Sequence, residues 1–271
     1  MIIKAIKTRK FLPPKDDLWE FLSSNIKSLK ENTVVAITSK VVSIGEGRSV
    51  KIEKISGGAG RASGANRAGG AGRAKDELAM MEADKYIPRE NSPGGWILHT
   101  LKNNMLIASA GVDESNGANY FILWPKDPQS SSKKIWQFLR KKFNVKNLGV
   151  IITDSRLVPL RRGVVGIAIG FFGFKPLKDY RGKKDIFGRE FKMETSNIPD
   201  SLATAAVLEM GEGSERQPIA IITNIPDLEF IDKEFKPKNI DDSFEIPEKE
   251  DMFYPFLSAV NWKKGGSGKN R

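Results

Sequence analysis

The sequence predicts an α+β fold, with mixed and antiparallel sheets and flanking helices in two lobes. Three observations predict it. Apolar runs of strand length (TVVAIT at 33–38, the run from Leu148 to Ile152, and VVGIAIGFFGF at 164–174) alternate with segments of helical periodicity. The stretch ILHTLKNNMLIASAG reads as an antiparallel hairpin turning at Lys102 to Asn104. A chain of 271 residues is long enough for one large domain or two lobes with a sizeable core.

The chain opens with a short strand, followed by the turn LPPKDD and a helix from about Leu18. That helix places Leu18, Phe21, Leu22, Ile26 and Leu29 on one face, which reads as core. The strand at 33–38 delivers Ser39 and Lys40 to its end, where a lysine either reaches a phosphate or stays solvated. Residues 57–74, built from Gly, Ala, Arg and Ser, offer too little apolar surface to offset their ordering entropy and read as a flexible inserted loop. No GK[ST] follows them, so they are not a phosphate-binding P-loop. DELAMMEADKYI then reads as a short helix carrying Glu77, Glu82 and Asp84.

His99 lies inside an apolar strand and is assigned a structural role. Its hairpin runs into a loop where Asp113, Glu114, Ser115 and Asn116 crowd oxygen-bearing side chains together, as either a site or an Asx-rich turn. A helix follows over about 130–143, with serines first and basic residues late, as the helix dipole prefers. The apolar run at 148–152 is a buried strand that brings Thr153, Asp154 and Ser155 to its carboxyl end. A carboxylate followed by a hydroxyl there suits a divalent cation held against phosphate oxygens, and equally suits a turn or cap. A turn with Pro159, Arg161, Arg162 and Gly163 leads into the strand at 164–174 and the charged run DYRGKKDIFGRE. Residues 199–210 form another helix, ending at GEGSERQP.

Composition narrows the chemistry. There is no Cys and a single His, so thiolate and multi-histidine metal sites are excluded, and any metal is held mainly by oxygen, as Mg²⁺ or Mn²⁺ would be. The net charge of +11 is concentrated: residues 57–74 and 263–271 account for seven of it, leaving +4 elsewhere. That remainder suits an enzyme of anionic substrates, so no nucleic-acid partner is expected. No apolar run reaches the roughly 20 residues needed to cross a bilayer, and the N-terminus lacks a signal-peptide core. A cytoplasmic location and no membrane partner are expected.

Five pieces occur in order: SKVVS–GEGR, SAGVDESN, VIITDS, the run from Val164 through DYRGKKDIFGRE, and LEMGEG followed by Pro218. Together they resemble the γ-glutamyl ligases that attach L-glutamate to the deazaflavin coenzyme F-420 precursor. More narrowly, they resemble bacterial homologues associated with folate metabolism. The resemblance implies a two-lobed ligase fold over residues 1–226, interrupted by the 57–74 insert. It leaves 227–262 as a C-terminal extension packed on that domain and 263–271 as a disordered tail.

The same resemblance implies site roles. Asp113 and Asp154 match a pair that binds a divalent cation, while Ser155 and Glu212 match positions at a second one. Ser39, Lys40 and Asn116 match nucleotide-contacting positions, with Met210, Gly211 and Glu212 in the same role at the end of the late helix. Asp113, Asp154, Arg161 and Arg181 are the candidate catalytic residues, the arginines because a planar fork of donors suits phosphate or carboxylate. Implied co-substrates and cofactors are GTP or ATP, Mg²⁺ or Mn²⁺ in two sites, and K⁺. Implied partners are L-glutamate, a carboxylated acceptor (deazaflavin precursor or folate-like) and a second copy of the chain as a homodimer.

Two departures stand out. Ile44 replaces the family's lysine, and Glu212 replaces its usual glutamine. The reading is therefore a nucleotide- and metal-dependent ligase that forms a γ-glutamyl amide through an acyl phosphate. The alternatives are a catalytically silent nucleotide-binding homologue, motivated by Ile44, and a nucleic-acid-associated protein, motivated only by the two basic segments.

Overall fold

A computed structural model describes residues 1–54, 70–238 and 242–269. Strand β1 (Ile2–Ile6) leads to helix α1 (Leu18–Asn25), whose N-cap Asp17 accepts from the backbone N–H of Trp19 and Glu20. The helix buries Leu18, Phe21 and Leu22, and a fully buried Phe contributes about 1.5–3 kcal/mol relative to its exposed state. Next come β2 (Thr33–Thr38), α2 (Ser39–Gly45), β3 (Ser49–Lys51) and α3 (Gly70–Glu82). Strands β4 (Lys85–Ile87), β5 (His99–Lys102), β6 (Met105–Ala108) and β7 (Tyr120–Ile122) follow. Helix α4 (Pro128–Phe143), capped by Asp127, precedes β8 (Leu148–Leu157), β9 (Val164–Phe172), β10 (Leu177–Asp179) and β11 (Thr195–Asn197). The chain ends with α5 (Ile198–Met210), β12 (Ile219–Thr223), α6 (Tyr254–Ser258) and β13 (Lys263–Lys264).

The main sheet has the order β1-β12-β2-β8-β9. It is mixed: β2 and β8 run parallel, while the other neighbours are antiparallel. Alternation along β2 explains why both faces are covered. Val35 and Ile37 join the core under α1 and α4 with Phe21, Ile135 and Trp136. Val34 and Ala36 face the opposite core, with Leu202, Ala203, Ala206 and Met210 of α5. A second, antiparallel sheet has the order β13-β4-β5-β6, and α3 packs its Leu78 and Ala79 into a separate core there with Leu98 and Phe121. The β5–β6 hairpin turns through Asn103 and Asn104, both at positive φ, as a two-residue primed turn demands. His99 is half-buried opposite Ala108 in that hairpin, where burial lowers its pKa.

Three sequence expectations are adjusted. Helix α3 begins at Gly70, ahead of the expected start at Asp76, and Ala74 is buried. The rest of the 57–74 insert, residues 57–69, lies outside the described residues. The tail expected to be disordered is described to residue 269 and is built in. Lys263 and Lys264 pair with β4, and the N–H groups of Gly265 to Gly268 bond the carbonyls of Asp84, Met80, Ala83 and Met81. Those carbonyls close and follow the end of α3 and need donors, which the tail's glycines can approach closely. Finally, β8 does not stop before Asp154. A bulge at Ile152/Thr153 lets it continue alongside β9 to Leu157, past Thr38, where β2 ends. From the segment after β12, Phe230 and Phe244 pack against the core that includes α5, and Glu248 forms an ion pair with Lys85.

Candidate functional site

A cleft of about 550 Å³ opens where β2 and its parallel partner β8 separate. Such a position, at the carboxyl end of parallel strands, is where open sheets bind ligands. Its lining comes from widely separated segments. The first turn of α2 supplies Ser39 and Lys40, and the loop before β7 supplies Asp113, Ser115 and Asn116. Thr153, Asp154 and Ser155 come from β8, while Met210, Gly211 and Glu212 come from the end of α5. Every candidate nucleotide and metal residue thus borders one cleft.

The loop carrying Asp113 is closed by a reciprocal backbone pair, Asp113 N–H to Ile122 O at 2.9 Å and Ile122 N–H to Asp113 O at 2.8 Å. Its carboxylate accepts from the Ser115 N–H and hydroxyl, both at 2.8 Å. The Lys40 Nζ lies 2.7 Å from Asp113 Oδ2 and also donates to the Ser115 carbonyl at 2.7 Å. Burial alone would push the Asp113 pKa up, but the Lys40 charge and these hydrogen bonds hold it below the usual range. Asn116, at positive φ, donates to the Gly213 carbonyl at 2.9 Å and ties this loop to the turn after α5.

Asp154 behaves in the opposite way. Burial pushes its carboxyl up to about 6, with the negative Asp113 adding to the rise. The indole N–H of Trp124 and the Ser155 N–H both donate to it and resist that shift. Glu212 is also raised, again by burial first, with Asp113 and Glu215 nearby. Its Oε2 accepts from the Ser155 hydroxyl at 3.4 Å. Gly211 stands at φ +81 and ψ 162, a conformation essentially confined to glycine, and the Glu215 carboxylate accepts the Gly213 N–H beside it.

The donor set of Asp113, Asp154, Ser155 and Glu212 is all oxygen, which suits Mg²⁺ or Mn²⁺. Among the described residues, no three acidic or imidazole groups form a ready coordination cluster. The positive charge now on Asp113 is the Lys40 ammonium.

Two candidates lie elsewhere. Arg181 is bound by Asp179 and Asp242, so its guanidinium is already neutralised, and Arg161 sits on the exposed β8–β9 turn. Neither is among the cleft-lining residues. Conversely, the cleft is bordered by Thr8, Arg9, Arg216 and Gln217, which carried no motif. Trp124, which holds Asp154, was also passed over; its only sequence signal is an indole directly after a buried strand.

Comparison with known proteins agrees with the ordered motifs. The F420-0:gamma-glutamyl ligase family matches residues 6–224. A coenzyme F420:L-glutamate ligase of Methanopyrus kandleri is 35% identical over 233 residues, covering 84% of this chain and 88% of the relative. One from Archaeoglobus fulgidus is 32% identical over 211 residues, covering 78% and 82%. Another, from Methanocaldococcus jannaschii, is 43% identical over 133 residues, covering 48% and 53%.

Proposed function

The chain belongs to the F420-0:gamma-glutamyl ligase family, and from that premise we propose that it forms an amide between L-glutamate and a carboxylated acceptor at the expense of a nucleoside triphosphate. The observation that carries the reading is the meeting of Ser39, Lys40, Asp113, Asn116, Asp154, Ser155 and Glu212 around one cleft. The acceptor is a deazaflavin precursor or a folate-like carboxylate, and the triphosphate is GTP or ATP.

The proposed reaction has two steps. An acceptor carboxylate oxygen attacks the γ-phosphorus, breaking its bond to the bridging oxygen and releasing nucleoside diphosphate. The glutamate amine, having lost a proton, then attacks the acyl carbon and expels phosphate. Such transfers are catalysed mainly by positioning and by neutralising charge, so no protein nucleophile is needed. This suits a chain without Cys.

Lys40, the lining cation that already faces Asp113, would leave it for phosphate oxygens, with the Ser39 hydroxyl beside it. Asn116, fixed to the turn after α5, would orient the nucleotide between the Asp113 loop and α5. Asp113, Asp154, Ser155 and Glu212 would hold Mg²⁺ or Mn²⁺, which when bound supplies neutralisation of the triphosphate. The elevated Glu212 and Asp154 carboxyls support this reading, since crowded, buried acids are stabilised by added positive charge. K⁺ and a homodimeric assembly belong to the same proposal, the latter tested by light scattering in solution. Among the described residues, no helix is long and apolar enough to cross a membrane.

One feature favours the silent-homologue reading: Ile44, which stands where the resemblance implies a lysine, borders the cleft and is 2% exposed. The test is amide formation and nucleotide hydrolysis that depend jointly on glutamate, acceptor and Mg²⁺ or Mn²⁺, across deazaflavin and folate acceptors. Asp154→Asn should lower the rate on the order of a hundredfold or more. Equal inactivity of both proteins with every acceptor, and no nucleotide binding by either, would favour the silent homologue.

A further inference from the structure

Behind the cleft, the polar groups around Asp154 continue into a buried charged cluster that the proposed chemistry does not use. Trp124 is 1% exposed, and its indole N–H donates to Asp154 Oδ2. The Trp124 carbonyl accepts from Arg48 Nε at 3.1 Å, and the Lys102 ammonium stands 5.6 Å from the centroid of its ring. Arg48 and Lys102 both donate to Glu82 Oε2 at 2.8 Å, and the Glu82 side chain is 1% exposed. The indole has no slack on its cleft side: a Cβ at Gly111, φ +71, would stand 2.1 Å from Trp124 Nε1.

We infer that Trp124 is a positioning residue for Asp154, an indole clamped by the Glu82–Arg48–Lys102 cluster so that its one N–H aims the carboxylate into the cleft. The inference rests on the proposed role of Asp154 and extends it one residue outward. Three features support it. Tryptophan offers a donor and no acceptor, so its hydrogen bond always favours the carboxylate oxygen. A charged cluster this deep is costly to desolvate, and it spans α3, β5 and the segment after α2, all outside the cleft's own wall. Its polar groups reach the cleft through the indole. Groups that orient a ligating carboxylate typically change cation affinity or activity ten- to a hundredfold when removed.

The experiment compares wild type, Trp124→Phe, Asp154→Asn and the double variant for kcat, for KM of glutamate and for the Mg²⁺ requirement, the last measured both as the concentration giving half-maximal rate and as Mg²⁺ affinity by calorimetry without turnover. Replacing Trp124 by benzothienylalanine, which keeps the bicyclic shape and lacks the N–H, covers the case in which Trp124→Phe does not fold. The expected result is a ten- to hundredfold fall in kcat or rise in the Mg²⁺ requirement, an unchanged glutamate KM, and no further loss when either change is added to Asp154→Asn. A structural role alone would give losses that multiply in the double variant, and that outcome overturns the inference. So does full activity of the benzothienylalanine protein while Asp154→Asn is inactive, which leaves the ligase reading standing. Full activity of Asp154→Asn would instead remove the premise about Asp154 itself.

Discussion

The Lys40 ammonium stands 2.7 Å from the Asp113 carboxylate, so the first turn of α2 holds a loop that leads into the separate core under α3. The pair is partly open to water: 44% of the Asp113 side chain is exposed. Because the folded pKa of Asp113 is depressed, its contribution is present above the unfolded value near 3.9 and is lost as pH falls through the lower folded value. Lys40→Met should therefore flatten the acid limb of the stability profile. Solvent screening keeps the change below about 1 kcal/mol. Urea denaturation between pH 3 and 7 measures it, and an unaltered acid limb in the variant would count against the pair. Nucleotide affinity should fall in the same protein, as a titration with either triphosphate would show.

For Asp154 the sign is reversed. Its folded carboxyl titrates near 6, above the unfolded value, so its stabilising effect is complete below about pH 4 and is lost as pH rises through 6. The rise of about two units corresponds to at most about 3 kcal/mol at pH 8. Asp154→Asn keeps an oxygen for the Trp124 N–H and carries no charge to bury. After chelator treatment, the variant should be more stable than wild type at pH 8 and nearly equal to it at pH 4, while catalysis collapses. Mg²⁺ should raise the melting temperature of wild type at pH 8 and that of the variant much less. A variant less stable than wild type at pH 8 would mean that the carboxylate is better satisfied than its burial implies.

The C-terminal segment makes a mechanical prediction. Gly265 N–H bonds the Asp84 carbonyl at 2.9 Å and Gly266 N–H bonds that of Met80 at 3.0 Å. A Cβ at Gly265 would stand 2.1 Å from the Ala83 oxygen, so only glycine allows this approach. Gly265→Ala should cost about 1–3 kcal/mol, and deleting 263–271 should cost a similar amount, because either change leaves the carbonyls around the end of α3 without donors. Thermal melts of both variants test this. Unchanged melting temperatures would mean that the tail is dispensable.

What could be read without coordinates follows from the range of each signal. The strand at 33–38, the hairpin turning at Asn103 and the helix ending at Met210 are written in local periodicity and turn chemistry, and they stand where expected. Asp113, Asp154 and Glu212 were legible because each interrupts or ends an apolar element with an acid. The tail was misjudged because GGSG is a flexible composition by itself, and its order comes from backbone bonds to a distant helix end. Arg181 lies outside the cleft, held by Asp179 two residues before it and by Asp242 in the C-terminal extension, and only the first of these partners is close in sequence. The start of β8's last turn of chain was also hidden, since the bulge at Ile152/Thr153 depends on pairing with β9.

Ile44 stands where the resemblance implies a lysine, and replacing it tests whether that position contacts the nucleotide. It lies on α2 four residues after Lys40, on the same helical face, and borders the cleft while being 2% exposed. A lysine there could follow the path of the isoleucine with its methylenes and bring its ammonium into the cleft. Desolvation opposes that, so Ile44→Lys should lower stability by about 1–3 kcal/mol in the absence of ligand. Bound triphosphate reverses the balance, because a charge-assisted contact to phosphate compensates for the desolvated ammonium. The expected result is about tenfold tighter nucleotide binding by calorimetry and a larger ligand-induced rise in melting temperature than in wild type. Ile44→Met separates charge from shape, since it alters packing alone and should leave nucleotide affinity unchanged. A folded Ile44→Lys protein that binds nucleotide no more tightly than Ile44→Met would place this side chain away from the phosphates.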